Sequence, residues 1–143
     1  MNTNRFLLSI LAGFIFIFGT DFVIHTIWLD ADYKATASLW RSEGEMQRRF
    51  FIMIFAHVLG AIAFMYIWAK TGWRRRSIAD GCFFGFWMGL FAQVGTIILY
   101  VVMPMPKELA LKWFLVGLAQ AVLLGALAAL IYKPLTSLGD RRV

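Results

Sequence analysis

Four apolar runs, each long enough to cross a bilayer, lie within a chain of only 143 residues. A hydrocarbon core of about 30 Å takes about 20 helical residues at about 1.5 Å each. The runs extend over about Phe6 to Leu29, Phe50 to Ala69, Gly81 to Met103 and Leu109 to Tyr132. Backbone amides in lipid must be paired inside the structure, so the expectation is an all-α integral membrane protein, a four-transmembrane-helix bundle forming one domain. Composition agrees: 61% hydrophobic and 15% charged residues lie outside the usual soluble range. Residues 30 to 49 form the only long connection.

The ends of the runs carry helix punctuation. Ser42-x-x-Glu45 and Ser77-x-x-Asp80 read as capping boxes before the second and third helices, and Pro106 suits the first turn of the fourth. Lys133-Pro134 stops the last. Ala35-Thr36-Ala37 resembles a signal-peptidase site, but the 24 residues of the first run exceed a signal-peptide core of about 7 to 15, so the run is read as a span.

A net charge of +6 raises nucleic acid as a partner. The basic residues instead sit at the ends of apolar runs, where they orient a membrane protein, and nucleic-acid binding is not expected. With the N-terminus inside, Arg5, Lys70, Arg74, Arg75, Arg76, Lys133, Arg141 and Arg142 are cytoplasmic, against Lys34, Arg41, Arg48, Arg49, Lys107 and Lys112 outside. Eight face six, so both termini are expected in the cytoplasm and the 30–49 loop outside. Ala31, Ala35, Leu39 and Trp40 would lay part of that loop on the membrane surface as a short amphipathic helix, or leave it solvated with Trp40 as an anchor. A single cysteine, Cys82, excludes an intramolecular disulfide.

Gly81, Gly85 and Gly89 recur every four residues in the third run, as do Gly117, Ala121 and Gly125 in the fourth. Small residues at this spacing let helix backbones approach closely in lipid, so these two helices should pack on each other or on a second copy.

Against this apolar background stand a few polar residues. If each run is centred in the bilayer, Asp21, His57, Gln93 and Gln120 fall near one depth, one per helix, with His25 a turn beyond Asp21 on the same face. An ionised carboxylate in hydrocarbon costs several kcal/mol or more unless paired. Two uses fit: a hydrogen-bond network that fixes helix register, or a ligand or proton site. Asp21, His25 and His57 together are a candidate two-histidine, one-carboxylate metal set suited to zinc, iron or copper. Met46, Met103 and Met105 could offer thioethers to Cu(I), although apolar filling is the commoner role. No cofactor is singled out. The sequence has neither a Gly-x-Ser-x-Gly motif nor a phosphate loop, so catalysis is the weakest expectation.

The stretches Asp21-Phe22-Val23-Ile24-His25, Ala35-Thr36-Ala37-Ser38-Leu39-Trp40-Arg41 and Glu43-x-Glu45-Met46 resemble segments of small four-span bacterial membrane proteins of no established activity. The resemblance implies four helices in a bacterial inner membrane and carries no substrate or cofactor. Three functions follow in order of expectation. The first is an accessory or complex subunit acting through helix contacts in the bilayer, as a homo-oligomer or within a larger complex. The second is a metal, proton or small-ligand binding or transport protein using the Asp/His site, and the third an enzyme acting on lipid or quinone.

Overall fold

The computed structural model describes residues 3–70 and 77–132. Among these there is no strand. Helix α1 (Thr3–Asp21) runs into a π-helical segment (Phe22–Trp28) and is followed by two short helices, α2 (Asp30–Ala35) and α3 (Glu43–Arg48), with a 3₁₀ turn at Ala37–Leu39 between them. Three long helices complete the chain, α4 (Phe50–Lys70), α5 (Ile78–Val102) and α6 (Lys107–Ile131). The continuous Thr3–Trp28 rod, α4, α5 and α6 are each long and apolar enough to cross a membrane, with mean hydropathy from 1.8 to 2.4. The clusters of Arg74–Arg76 and the Lys133–Pro134 stop lie outside the described residues.

The capping box at Ser77 forms as the sequence requires. Its Oγ accepts from the Asp80 amide at 3.1 Å, and Asp80 Oδ2 accepts from the Ser77 amide at 2.8 Å. The box expected at Ser42 does not form. Ser42 precedes the six-residue α3 rather than the second span, and its hydroxyl contacts Glu45 Oε2 instead of capping the backbone. Pro106 stands at the N-cap of α6, one residue before the expected first turn.

The long helices alternate in direction. Helix α5 and helix α6 form the tightest pair, and the glycine ladders make that closeness possible. A Cβ built on Gly85 would lie 2.2 Å from the Ala121 carbonyl oxygen, one on Gly81 2.2 Å from that of Gly125, and one on Gly125 2.0 Å from that of Gly81. Only hydrogen fits at these three positions. Gly117 belongs to the same sequence ladder but serves differently, because its missing Cβ leaves room for the Gln93 amide.

Apolar clusters close the two ends of the bundle. At the Lys70 end, Phe64, Met65 and Trp68 of α4 meet Phe84 of α5 and Leu124, Ala128, Ala129 and Tyr132 at the end of α6. At the other end Leu29, Met105, Leu109 and Ala110 are buried beneath Tyr33, Leu39, Trp40 and Trp113. The 30–49 loop is therefore not a solvated loop with Trp40 free as an anchor: part of it is helical, and its aromatic side chains pack on the end of the bundle. Ala31 and Ala35 are exposed, while Trp40 packs edge-on to Tyr33 and tilted against Trp113 and donates its indole hydrogen to Thr36 Oγ1 at 2.9 Å. An ion pair across 80 residues, from Lys112 Nζ to both Asp32 oxygens at 2.7 and 2.8 Å, pins this cap to α6. Met103 and Met105 pack in the same cluster as apolar filler.

Candidate functional site

Between the two apolar clusters lies a polar layer, and Asp21 is its junction. The carboxylate at the end of α1 receives the ring of His57 from α4 on one oxygen, Nε2 to Oδ2 at 2.7 Å. Its other oxygen accepts from Gln120 Nε2 of α6, also at 2.7 Å. One side chain thus ties three helices.

The hydrogen assignments follow from the partners. His57 Nδ1 lies 2.6 Å from the Met53 carbonyl oxygen, one turn earlier on α4. A carbonyl only accepts, so Nδ1 carries a hydrogen. The Nε2–Oδ2 contact then holds one proton, which resides either on the ring, giving imidazolium and carboxylate, or on the carboxyl group, giving two neutral partners. Gln120 is fixed in the same way. Thr20 Oγ1 donates to the Phe16 carbonyl at 2.7 Å and so accepts from Gln120 Nε2 at 2.6 Å. Both amide hydrogens of Gln120 are spent on Thr20 and Asp21, and its Oε1 has no hydrogen-bond partner among the described residues.

Beside this junction is a largely polar cavity of about 220 Å³, lined by Asp21, Ile24, His25, Gln93, Thr96, Trp113, Val116, Gly117 and Gln120. Gln93 reaches it from α5 by lying over Gly117, where a Cβ would stand 2.0 Å from its Nε2. Thr96, one turn on, donates to Gln93 Oε1 at 2.7 Å, which leaves Nε2 as the free end of the amide.

His25 is held from the cap. Its Nδ1 is 2.5 Å from the Tyr33 hydroxyl, which also accepts from Trp113 Nε1 at 2.9 Å. Burial pushes the Tyr33 phenol up to about 12, opposed by the Trp113 hydrogen bond and reinforced by the Asp32 charge. His25 Nδ1 is the acceptor that the Tyr33 hydroxyl meets among the described residues, so the phenol hydrogen is directed there and the hydrogen of a neutral His25 is left on Nε2. His25 enters from the π-helical segment, where i→i+5 bonding continues to Leu29 N–H on Ile24 O at 2.9 Å. Such segments recur at functional sites.

The structure thus joins Asp21, His57 and Gln120 directly and places Gln93 and His25 around the adjoining cavity. It does not gather Asp21, His25 and His57 into a metal set. Both nitrogens of His57 and Nδ1 of His25 are already engaged, and among the described residues no three His, Cys, Asp or Glu side chains are grouped to hold a metal ion. Thr20, Tyr33 and Thr96 belong to the arrangement but were not singled out from the sequence, whereas Trp113 is, from sequence, only one aromatic among several near the His and Gln side chains. Thr20 and Thr96 left a usable signal, as hydroxyls adjacent to Asp21 and three residues from Gln93 inside apolar runs. The pairing of Tyr33 with Trp113 spans 80 residues and left none. Comparison with protein-family models, curated proteins and solved structures gave no match.

Proposed function

We propose that this chain is a proton-linked binding protein of the membrane, taking a small hydrogen-bonding ligand in the cavity beside Asp21. One observation carries the reading: polar side chains of three helices converge on a cavity at the single exchangeable proton of the Asp21–His57 pair. Removing that proton leaves a net negative charge at the depth of the apolar helices, so its affinity for the site depends on what occupies the cavity. A ligand that stabilises one protonation state is bound more tightly in that state, and the coupling is reciprocal. Register fixing alone would need the contacts among Asp21, His57 and Gln120 but not the space beside them. The accessory-subunit reading explains the apolar outer faces, such as Phe51 and Phe91 at 83% and 78% exposed, which lipid covers equally well.

The chain would be a multi-pass protein of a bacterial inner membrane with both termini cytoplasmic. The eight-to-six distribution of basic residues and the resemblance to four-span bacterial proteins support this placement.

Two measurements test the reading. In a Cys82→Ser background, Val116→Cys should react with a small water-soluble thiol reagent in reconstituted protein, because Val116 lines the cavity. In nitrogen-15 spectra, His57 Nδ1 should carry a hydrogen, as its bond to the Met53 carbonyl requires. An unreactive Val116→Cys, or a His57 that lacks its Nδ1 hydrogen, would overturn the proposal.

A further inference from the structure

The binding reading leaves open what the cavity takes, and its hydrogen-bond inventory narrows the chemistry. Gln93 Nε2 has two hydrogens and no partner among the described residues, since Thr96 is satisfied on the amide oxygen. His25 Nε2 has one, because Nδ1 is held by Tyr33. Gln120 Oε1 is an unpaired acceptor, and Asp21 and Thr96 keep further lone pairs. The unpaired N–H donors of the wall are those of Gln93 and His25, carried by two different helical elements.

Charge narrows it further. No Lys or Arg lines the cavity, so an anion would find no counter-charge. The Asp21–His57 pair with its shared proton is neutral as a whole, so a cation would find no net counter-charge unless that proton left. An uncharged ligand avoids either cost. Size sets the last bound: 220 Å³ is the volume of roughly seven waters at about 30 Å³ each, enough for one small ring with short substituents. The Trp113 ring supplies an aromatic wall.

Resting on the proposed binding function, we infer that the ligand is a small uncharged carbonyl compound whose oxygen accepts hydrogen bonds from Gln93 Nε2 and His25 Nε2. The same chemistry is offered by a quinone head group arriving through the lipid and by an amide or ketone arriving through water.

A set of probes with one shape and three charges tests this by calorimetry on the reconstituted full chain. Benzamide should bind saturably, while benzoate and benzylammonium should bind at least tenfold more weakly. Gln93→Glu, which keeps the shape but replaces the donor by a carboxylate, should weaken benzamide tenfold or more and shift preference toward benzylammonium. Thermal unfolding of this variant checks that the fold persists, and Gly117→Ala, which displaces the Gln93 amide without removing it, should weaken benzamide in the same direction. Duroquinone and a decyl-substituted quinone separate the sources. A tenfold or larger gain from the tail places the natural ligand in the lipid, and equal affinities place it in water, both within the inferred class. Tighter binding of benzoate or benzylammonium to the native protein overturns the class. So does the absence of binding by every carbonyl probe while Val116→Cys is still labelled, an outcome that leaves the cavity reading standing. Loss of that labelling removes the cavity reading and this inference together.

Discussion

Replacing Gly85 by alanine adds one methyl group at one of the three tightest points between α5 and α6. The new Cβ would lie 2.2 Å from the Ala121 carbonyl oxygen and 2.9 Å from both Ala121 C and Val122 Cα. All three obstacles are backbone, so no rotamer change relieves them and the helices must separate by about 1 Å to reach ordinary contact. Overpacking of this kind costs about 1–3 kcal/mol, against which the better helix propensity of alanine returns about 0.8–1 kcal/mol. The expected net loss is about 0–2 kcal/mol against the native chain, and about 1–3 kcal/mol against a glycine replaced in open space. Gly95, on the same helix, has nothing within 4 Å of an added Cβ and isolates the propensity effect. Gly95→Ala should be neutral or slightly stabilising. Reversible unfolding in mixed detergent micelles, titrated with a denaturing detergent, measures both variants against the native chain. If Gly85→Ala is as stable as Gly95→Ala, the close backbone contact does not exist as described and the α5–α6 packing argument fails.

Asp21→Leu should destabilise more than Asp21→Asn in the same unfolding assay. Leucine strands the His57 and Gln120 donors at about 1–3 kcal/mol for a buried unpaired group, whereas asparagine retains an acceptor and loses on the order of 1 kcal/mol. Equal losses would mean that those bonds carry no stability. Alkaline pH should loosen the cap. The Tyr33 phenol is raised from 10.0 to about 12, so its contribution is complete below pH 10 and disappears as pH rises through about 12. The loss is on the order of 2–3 kcal/mol at most, and Tyr33→Phe should flatten it in melting curves taken between pH 9 and 12. Lys112→Met should release the cap from α6, seen as faster hydrogen exchange at residues 30–40, because the Asp32 ion pair is its charged tie across 80 residues. Unchanged exchange would assign the docking to the aromatic cluster alone.

The helices and the α5–α6 contact were legible because their signals are local and periodic. Apolar length bounds a span, and a glycine every fourth residue marks one face. The common depth of Asp21, His57 and Gln120 followed from the rise per residue alone, since antiparallel rods of similar length align their midpoints. What escaped the sequence was direction within the layer. Ligand chemistry grouped His25 with His57 as joint ligands, but His25 turns toward Tyr33 while His57 turns back to its own Met53 carbonyl. The cap was misread for a related reason. The pattern of Ala31, Ala35, Leu39 and Trp40 suits a membrane surface, yet Tyr33, Leu39 and Trp40 are half-buried against residues 103–113, a surface the local pattern cannot contain.

Packing demand and chemical function leave different residues satisfied. A network retained for register ends with its donors and acceptors spent on one another, since each unpaired group at this depth costs free energy. Asp21, His57, Thr20 and the Gln120 amide nitrogen meet that standard. Gln93 does not: its oxygen is oriented by Thr96, and its nitrogen, carried over a glycine, has no hydrogen-bond partner among the described residues. Leucine at position 93 would bring no polar group to bury. A side chain oriented at one end and unpaired at the other is explained by something that arrives there. Asp21, which shares its proton with His57, lines the same cavity.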